Sequence, residues 1–321
     1  MFNVSEAGVR AASVFRAGMI ASTIGALSAC GGGSSGGVAS TPSPPSFTSF
    51  SSVAPGTTAT VNGSTREGSY TSTNSGNTVL VNSVSGVTTG SGSVQFSTDA
   101  SRLSTGLKLT GSQSSVSFQP GDGSTGVNLA NMGLPGANLQ ISANNQNLAI
   151  YASPYTLGYD YQSFGVWATG LGTGSGKIGA ISVGAATSGG SVPTSGTATF
   201  NGYAGGIVAM QGQPGYEALA SAHFVADFQA RSLAISTTNS MIYDVATGQS
   251  GLAGNLNFSG TLNYAAGSNN LTGTLATSSA LGLSGPSSAQ FFGPQATEVG
   301  GTFYLTNATN SIWYIGAFGG K

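Results

Sequence analysis

The chain has 321 residues, a formal net charge of −1 and only 5% charged residues, but it contains 52 Gly, 15 Phe and 11 Tyr. So few basic residues cannot neutralise many phosphates, which argues against a nucleic-acid partner. Disordered chains usually lack aromatic residues and carry a high net charge, so this composition indicates a folded protein. Gly, Ser, Thr and Asn form helices poorly and suit strands and turns, which predicts an all-β protein.

The first 29 residues have the pattern of a secretory signal. Arg10 and Arg16 lie upstream of an apolar run at 17–27, and small residues precede Cys30. The run is shorter than the roughly 20 apolar residues that span a bilayer, which indicates a cleaved leader. The sequence Leu-Ser-Ala-Cys that ends at Cys30 resembles the lipobox of bacterial lipoproteins. This resemblance implies cleavage before Cys30 and its lipidation, with acyl chains such as palmitate.

A lipidated Cys30 would anchor the chain in a membrane, because each buried methylene contributes about 0.8 kcal/mol. Gly31 follows it where an Asp might retain a lipoprotein at the inner membrane, so the resemblance implies a surface-exposed protein on the outer membrane. The alternative is an ordinary signal peptide with an unused thiol. Cys30 is the single cysteine of the chain, so the fold must be held by its core. Residues 30–46, rich in Gly, Ser and Pro, indicate a linker.

Residues 47–192 are predicted to form a small β-rich domain. Short apolar runs between Gly, Ser and Asn turns predict strands at 78–81, 93–96, 107–110, 116–118, 139–142 and 148–151. The segment 159–167 is the most aromatic of the chain, and Tyr159, Tyr161 and Trp167 share strand parity. Aromatic residues are frequent binding hot spots, which makes these three the ligand-binding candidates. The alternative, which we favour, is that they form the seam between two domains.

Residues 193–321 predict an eight-stranded antiparallel barrel, because apolar and polar residues alternate along most of the predicted strands. These lie at 197–204, 221–228, 232–236, 241–245, 255–264, 271–275, 302–306 and 312–318, with hairpin turns at 238–240, 267–270 and 307–310. Eight strands enclose an interior that side chains fill. Most runs are shorter than the ~9–11 residues of a lipid-spanning strand, so a soluble barrel is expected.

The end of the chain resembles the late barrel motif of the transferrin-binding protein B family. The motif comprises an aromatic residue followed by Gly293 and Pro294, a turn with Glu298, the pair Gly300 and Gly301, and a last strand that closes on Gly-x-Phe-Gly-x-Lys at 316–321. The resemblance implies a single lobe, in which a small β handle domain precedes a soluble eight-stranded barrel on a surface lipoprotein. Relatives bind transferrin, complement factor H or haem-linked proteins.

The motif also has a structural interpretation in its own residues. Pro294 has no backbone donor, so Gly293 and Pro294 are expected to end a strand. Gly300 and Gly301 would allow a sharp bend back into the barrel wall. Glu298 lies between apolar neighbours, and we expect it to accept backbone N–H bonds at its turn rather than to hold a ligand.

Catalytic and metal-binding residues are not expected. His223, the one histidine, shares the polar side of its strand with Asp227, and no second His or Cys follows the anchor to complete a metal or haem site. The nine acidic residues are scattered, which argues against paired-carboxylate catalysis.

These observations predict a non-catalytic outer-membrane lipoprotein that binds a protein or small ligand, with a role in iron or haem acquisition. Haem or iron would be met only through that ligand, so no cofactor is expected, and a TonB-dependent receptor would be a partner. The alternative function is a structural or adhesive cell-surface lipoprotein.

Overall fold

The computed structural model describes residues 48–76, 78–130 and 136–321. The predicted signal peptide at 1–29, Cys30 and the linker at 30–46 lie outside the described residues. The described part is mainly β-strand, with one short helix, α1 (Pro154–Leu157), and single 3-10 turns at Gly189–Ser191 and Gly254–Leu256. It contains no helix long and apolar enough to cross a membrane.

Nine antiparallel strands form a first sheet, called the N-terminal sheet. They are β1 (Thr58–Ser75), β2 (Thr78–Thr98), β3 (Ser104–Thr110), β4 (Ser115–Phe118), β5 (Thr125–Asn128), β6 (Ala137–Ile141), β7 (Asn147–Ala152), β8 (Gln162–Thr169) and β9 (Ser175–Gly184). Their order across the sheet is β4-β3-β2-β1-β9-β8-β7-β6-β5. The long β1–β2 hairpin therefore lies near the middle of the sheet.

In the centre of the N-terminal sheet, the observed strands differ from the predicted ones. The runs predicted at 78–81 and 93–96 belong to one continuous strand, β2, and neither β1 nor β9 was predicted. β1 contains few aliphatic residues, and its central positions Thr65, Arg66 and Glu67 are all buried. Apolar periodicity cannot identify a strand whose inward side chains are polar.

A second sheet closes into the barrel. Its strands are β10 (Thr197–Met210), β11 (Gln213–Asp227), β12 (Ser232–Asp244), β13 (Gln249–Leu252), β14 (Phe258–Asn263), β15 (Leu271–Thr277), β16 (Ser284–Phe292), β17 (Glu298–Thr306) and β18 (Ile312–Gly320). β13 and β14 pair with successive parts of β12, so together they occupy one strand position of the barrel wall. Pairing of β18 with β10 closes the barrel, which therefore has eight antiparallel strand positions.

The predicted number of eight strand positions is confirmed, but one predicted strand was wrong and one strand was missed. Residues 241–245 fall within and just after β12 and do not form a strand of their own. The eighth strand position is occupied by β16, which was not predicted. The turn predicted at 238–240 is a bulge inside β12, where Asn239 has φ 54 and the β11 register slips by one residue. The turns predicted at 267–270 and 307–310 do join consecutive strands.

The barrel interior is a packed aromatic and aliphatic core. The ring of Phe303 lies 4.8 Å from that of Phe258 and 4.8 Å from that of Tyr314, the latter pair edge to face. Phe224 packs on Phe318 at 5.5 Å. Exposed Ser, Thr and Asn side chains occupy the alternate positions of the wall at 259, 261, 263, 272 and 274. The apolar face of the alternating pattern therefore points inward, which is the arrangement of a soluble barrel.

The N-terminal sheet covers part of the outer wall of the barrel. One buried cluster joins Phe164 and Val166 of β8 to Ile207, Leu219 and Ile315 on the outer side of β10, β11 and β18. A two-residue pairing of β2 with β11 adds backbone hydrogen bonding between the sheets. All described residues belong to one compact unit, so the strands of β10, β11 and β18 are buried on both faces where the sheets meet.

Candidate functional site

A buried carboxylate joins the two sheets. Glu298, at the first position of β17, accepts backbone N–H bonds from Asp160 (2.7 Å), Tyr161 (3.0 Å) and Gln162 (2.9 Å). These three donors belong to the segment that leads into β8, and we call the contact of residues 159–162 with β17 and β18 the seam. Burial raises the pKa of Glu298, while the three N–H bonds act in the opposite direction. Glu298 thus accepts backbone N–H bonds, but from the other sheet rather than from its own turn.

The motif glycines let neighbouring groups approach closely. β16 ends at Phe292, directly before Gly293 and Pro294. Gly300 and Gly301 lie inside β17 without positive φ, so the bend predicted there is absent. A Cβ on Gly300 would lie 2.8 Å from Ser182 Oγ of the N-terminal sheet, and one on Gly301 would lie 2.7 Å from the ring of Phe318. Close approach, not bending, is what requires glycine at these two positions.

Gly293 combines a left-handed backbone with a tight contact. Its replacement with Ala should therefore destabilise the protein more than the same change at a left-handed glycine without such a contact. Gly293 has φ 76, and a Cβ there would collide with the ring of Tyr161. Gly282 has φ 59, but a Cβ there would meet nothing within 4 Å. Gly282→Ala should cost about 1 kcal/mol from backbone strain alone, and Gly293→Ala about 2–3 kcal/mol. Urea unfolding of the two variants measures both values, and equal losses would contradict the contact with Tyr161.

The three aromatic ligand-binding candidates do not share one face. Tyr159 is buried at the seam, where its hydroxyl donates to the Gly319 carbonyl at 3.0 Å. Tyr161 is half-buried against Gly293. Trp167 is fully buried in a different cluster, inside the N-terminal sheet, and its Nε1 donates to Ser114 Oγ at 2.8 Å. Two of the three therefore pack at the seam, and their role in ligand binding stays a prediction.

An apolar cleft of about 420 Å³ lies between the two sheets. Val81, Val84 and Ile178 line it from the N-terminal sheet, and Ile207 and Ala209 line it from the barrel. Cavities of roughly 300–1,000 Å³ with apolar walls and a few polar groups are typical of small-molecule sites. The described residues contribute few polar side chains to this cleft, among them Thr78, Asn145, Glu217 and Asp244.

Glu217 is the buried acidic group of the cleft. It lies in β11, it is only 3% exposed, and its Oε2 has no hydrogen-bond partner among the described residues. Burial raises the pKa of Glu217 to about 8, the backbone N–H of the same residue opposes this shift, and the charge of Asp244 adds to it. A carboxyl group with a strongly perturbed pKa in an apolar cleft marks a candidate functional site.

The sequence interpretation missed Glu217 because strand parity places it on the outer side of β11, together with His223. His223 is exposed on that side, whereas Glu217 is buried in the cleft that the N-terminal sheet helps to form. A usable signal lay in residues 204–210 and 312–318, which are apolar at successive positions, a pattern typical of strands buried on both faces. Within the described residues, no group of His, Cys, Asp and Glu side chains is arranged to hold a metal ion.

Residues 192–321 match the family of the C-lobe and N-lobe beta barrels of Tf-binding protein B. Among solved structures, a mutant of Transferrin Binding Protein B from Haemophilus parasuis Hp5 is 14% identical, with 84% of this chain and 78% of that chain covered and a TM-score of 0.42. Transferrin binding protein B from serogroup B Neisseria meningitidis is 12% identical, with coverages of 83% and 77% and a TM-score of 0.39. No curated protein matches the chain in sequence.

The structural similarities are too low to carry an argument, so the assignment rests on the match of residues 192–321. That range contains the whole barrel, from β10 to β18, together with the motif around Glu298. The barrel of this chain, at residues 192–321, is therefore similar to the beta barrels of Tf-binding protein B.

Proposed function

We propose that this protein is a non-catalytic lipoprotein of the outer membrane that binds a protein or small ligand outside the cell. The match of residues 192–321 to the barrels of Tf-binding protein B carries the proposal, because that family is named for binding a protein. The lipobox-like sequence that ends at Cys30 supports a lipid anchor, and the Gly, Ser and Pro residues of 30–46 support a tether.

The proposal extends to iron or haem acquisition, with a TonB-dependent receptor as the partner that takes up the captured nutrient. Iron or haem would be met through the bound ligand rather than by the chain itself. The single histidine, His223, is exposed on the barrel wall, so a ligand set of protein side chains is not part of the proposal. The absence of an enzyme role is proposed on the same family grounds.

The lipid anchor is tested by Cys30→Ser in the full chain. The unaltered protein should sediment with outer membranes, and the variant should move into the soluble fraction because its acyl chains are missing. Ser35→Ala, a change in the linker that leaves the lipobox intact, is the matched control and should stay in the membranes. A Cys30→Ser variant that still sediments would overturn the anchor.

Ligand capture is tested with cells that carry the full chain on their surface. Transferrin, haem-linked proteins and complement factor H are offered in turn, and retention is compared with that of a strain from which the gene is deleted. Retention of one of them supports the proposal. If the whole panel is ignored and the deletion strain instead loses attachment or envelope integrity, the structural or adhesive function replaces it.

A further inference from the structure

We infer that the cleft between the N-terminal sheet and the barrel is a binding site for an apolar small molecule with one protonated amine, which Glu217 holds. The inference deepens the proposed function, on which it rests only for the general role of binding. It is carried by the walls of the cleft, by its charges and by the unpartnered oxygen of Glu217.

The walls of the cleft select an apolar molecule. Several of the side chains that line it are nearly buried, such as Val84 at 2%, Ala209 at 3% and Ile178 at 5% exposed. A ligand that covers these groups removes apolar surface from water, at about 25 cal/mol per Å². A volume of about 420 Å³ accommodates a compact ligand with a short alkyl chain or ring.

The acidic groups of the cleft favour a cation over an anion. Glu217 and Asp244 both line it, and among the described lining residues none is Lys, Arg or His. A carboxylate or phosphate ligand would meet two acidic groups without a compensating base, which is unfavourable in an apolar setting. An ammonium group instead supplies the opposite charge and three hydrogen-bond donors.

Backbone pairing on both sides of β11 holds Glu217 on the cleft side of the strand. β11 is paired on both sides at this position, with Ile207 of β10 and with Tyr243 of β12. Its backbone is therefore fixed, and Oε2 is left without a partner in the described structure. A buried, unpartnered polar atom costs about 1–3 kcal/mol, and a ligand donor placed against it would remove that cost.

Binding of the amine should be coupled to loss of the Glu217 proton. Burial raises the pKa of this carboxyl to about 8, so it holds its proton at neutral pH. An ammonium group pairs only with the ionised form of Glu217. The affinity for the amine should therefore rise with pH until Glu217 is ionised even in the absence of the amine. Asp244 on β12 and Tyr70 on β1 are the other acidic groups that line the cleft, and burial raises the pKa of Tyr70 to about 12, outside this range.

The experiment titrates the full chain with three probes that share one alkyl chain. The protein carries Cys30→Ser so that calorimetry needs no detergent, and the probes are octylamine, octan-1-ol and octanoic acid. Octylamine should bind at least about tenfold more tightly than octan-1-ol, and octanoic acid should not bind. Octylamine affinity should increase severalfold between about pH 6 and about pH 8. Equal binding of all three probes, or binding of none, overturns the inference.

Two substitutions locate the binding site. Glu217→Gln should lower octylamine affinity about tenfold and remove its pH dependence, while octan-1-ol binding stays the same. Gly215→Val should block both probes, because Gly215 lines the cleft and a Cβ there would meet only the Val208 carbonyl oxygen, at 3.9 Å. Gly251→Val is the matched control, since Gly251 also lies in a strand with open space but outside the cleft. If neither Glu217→Gln nor Gly215→Val changes octylamine binding, the site lies elsewhere and the inference is wrong.

Failure of these titrations is distinguishable from failure of the proposed function. Capture of a protein by cells that carry the chain uses different probes and does not depend on the cleft. A chain that retains transferrin but ignores octylamine would keep its proposed function and lose only the amine site.

Discussion

Replacing Glu298 with Ala is expected to lower the free energy of unfolding by about 2–4 kcal/mol. The carboxylate accepts N–H bonds from Asp160, Tyr161 and Gln162, and it is the only group in the described seam that binds all three. Each buried donor left without an acceptor costs about 1–3 kcal/mol, and Glu298 is only 4% exposed. Because the donors belong to the other sheet, the loss should loosen the contact between the sheets first.

The amide variant provides an intermediate case. Oε2 of Glu298 accepts from both Tyr161 and Gln162, whereas Oε1 accepts from Asp160 alone. In Glu298→Gln the remaining oxygen can keep the two bonds, but the new NH₂ group would face the Asp160 donor. We therefore expect the order of stability wild type, then Gln, then Ala.

Urea unfolding of the three proteins, with amide exchange at residues 159–162, measures both effects. Asp122→Asn is the control, because Asp122 is an exposed carboxylate that accepts only from its own turn, and its midpoint should stay near that of the wild type. An alanine variant as stable as the wild type, with unchanged exchange at the seam, would show that apolar packing alone joins the sheets.

The barrel was largely predictable, because most of its strands have one apolar face toward the core and one polar face toward water. Phe258 and Leu262 point into the core while Ser259 and Thr261 face water, so period-2 alternation is visible in the sequence. β16 was not predicted because it contains Pro286 and three serines, residues that indicate a turn rather than a strand. Its pairing with β15 and β17 comes from its place in the closed ring, which no local pattern reports.

The centre of the N-terminal sheet was not predictable in the same way. β1 buries Glu67, which accepts bonds from the backbone N–H groups of Ser112 (2.6 Å) and Gln113 and from the hydroxyl of Ser114 (3.0 Å). A charged residue in a strand core normally argues against that strand. Here the β3–β4 turn supplies the donors, and that turn lies 45 residues further along the chain.

The candidate site depends still more on tertiary contact. Glu217 occupies an outward position of β11, equivalent by parity to the exposed His223, but it is buried where the N-terminal sheet lies against the barrel. The residues that line the cleft with it, such as Val81 and Ile178, lie more than 35 residues away from it in sequence. Sequence alternation assigns a side of a strand, but it does not say what lies against that side.

Glu217→Gln is expected to stabilise the protein by about 3 kcal/mol at pH 7. Burial raises the pKa of Glu217 from 4.5 to about 8. Below pH 4.5 both folded and unfolded chains hold the proton, so the carboxyl group carries no penalty there. As the pH rises, the unfolded chain loses its proton while the folded chain keeps it, so stability falls until about pH 8 and is then constant. Glutamine has a similar shape and no proton to lose, so its variant should lack this decline.

Urea unfolding of both proteins between about pH 4 and about pH 9 measures the difference, which should be near zero at the acid end. Glu67→Gln is the matched control, because Glu67 is equally buried but accepts bonds from Ser112, Gln113 and Ser114, and the same substitution should destabilise the protein. Parallel pH profiles for wild type and Glu217→Gln would show that Glu217 is solvated in the folded protein. A buried acid whose neutral replacement improves stability makes no structural contribution that offsets its burial, and such residues are characteristic of binding sites.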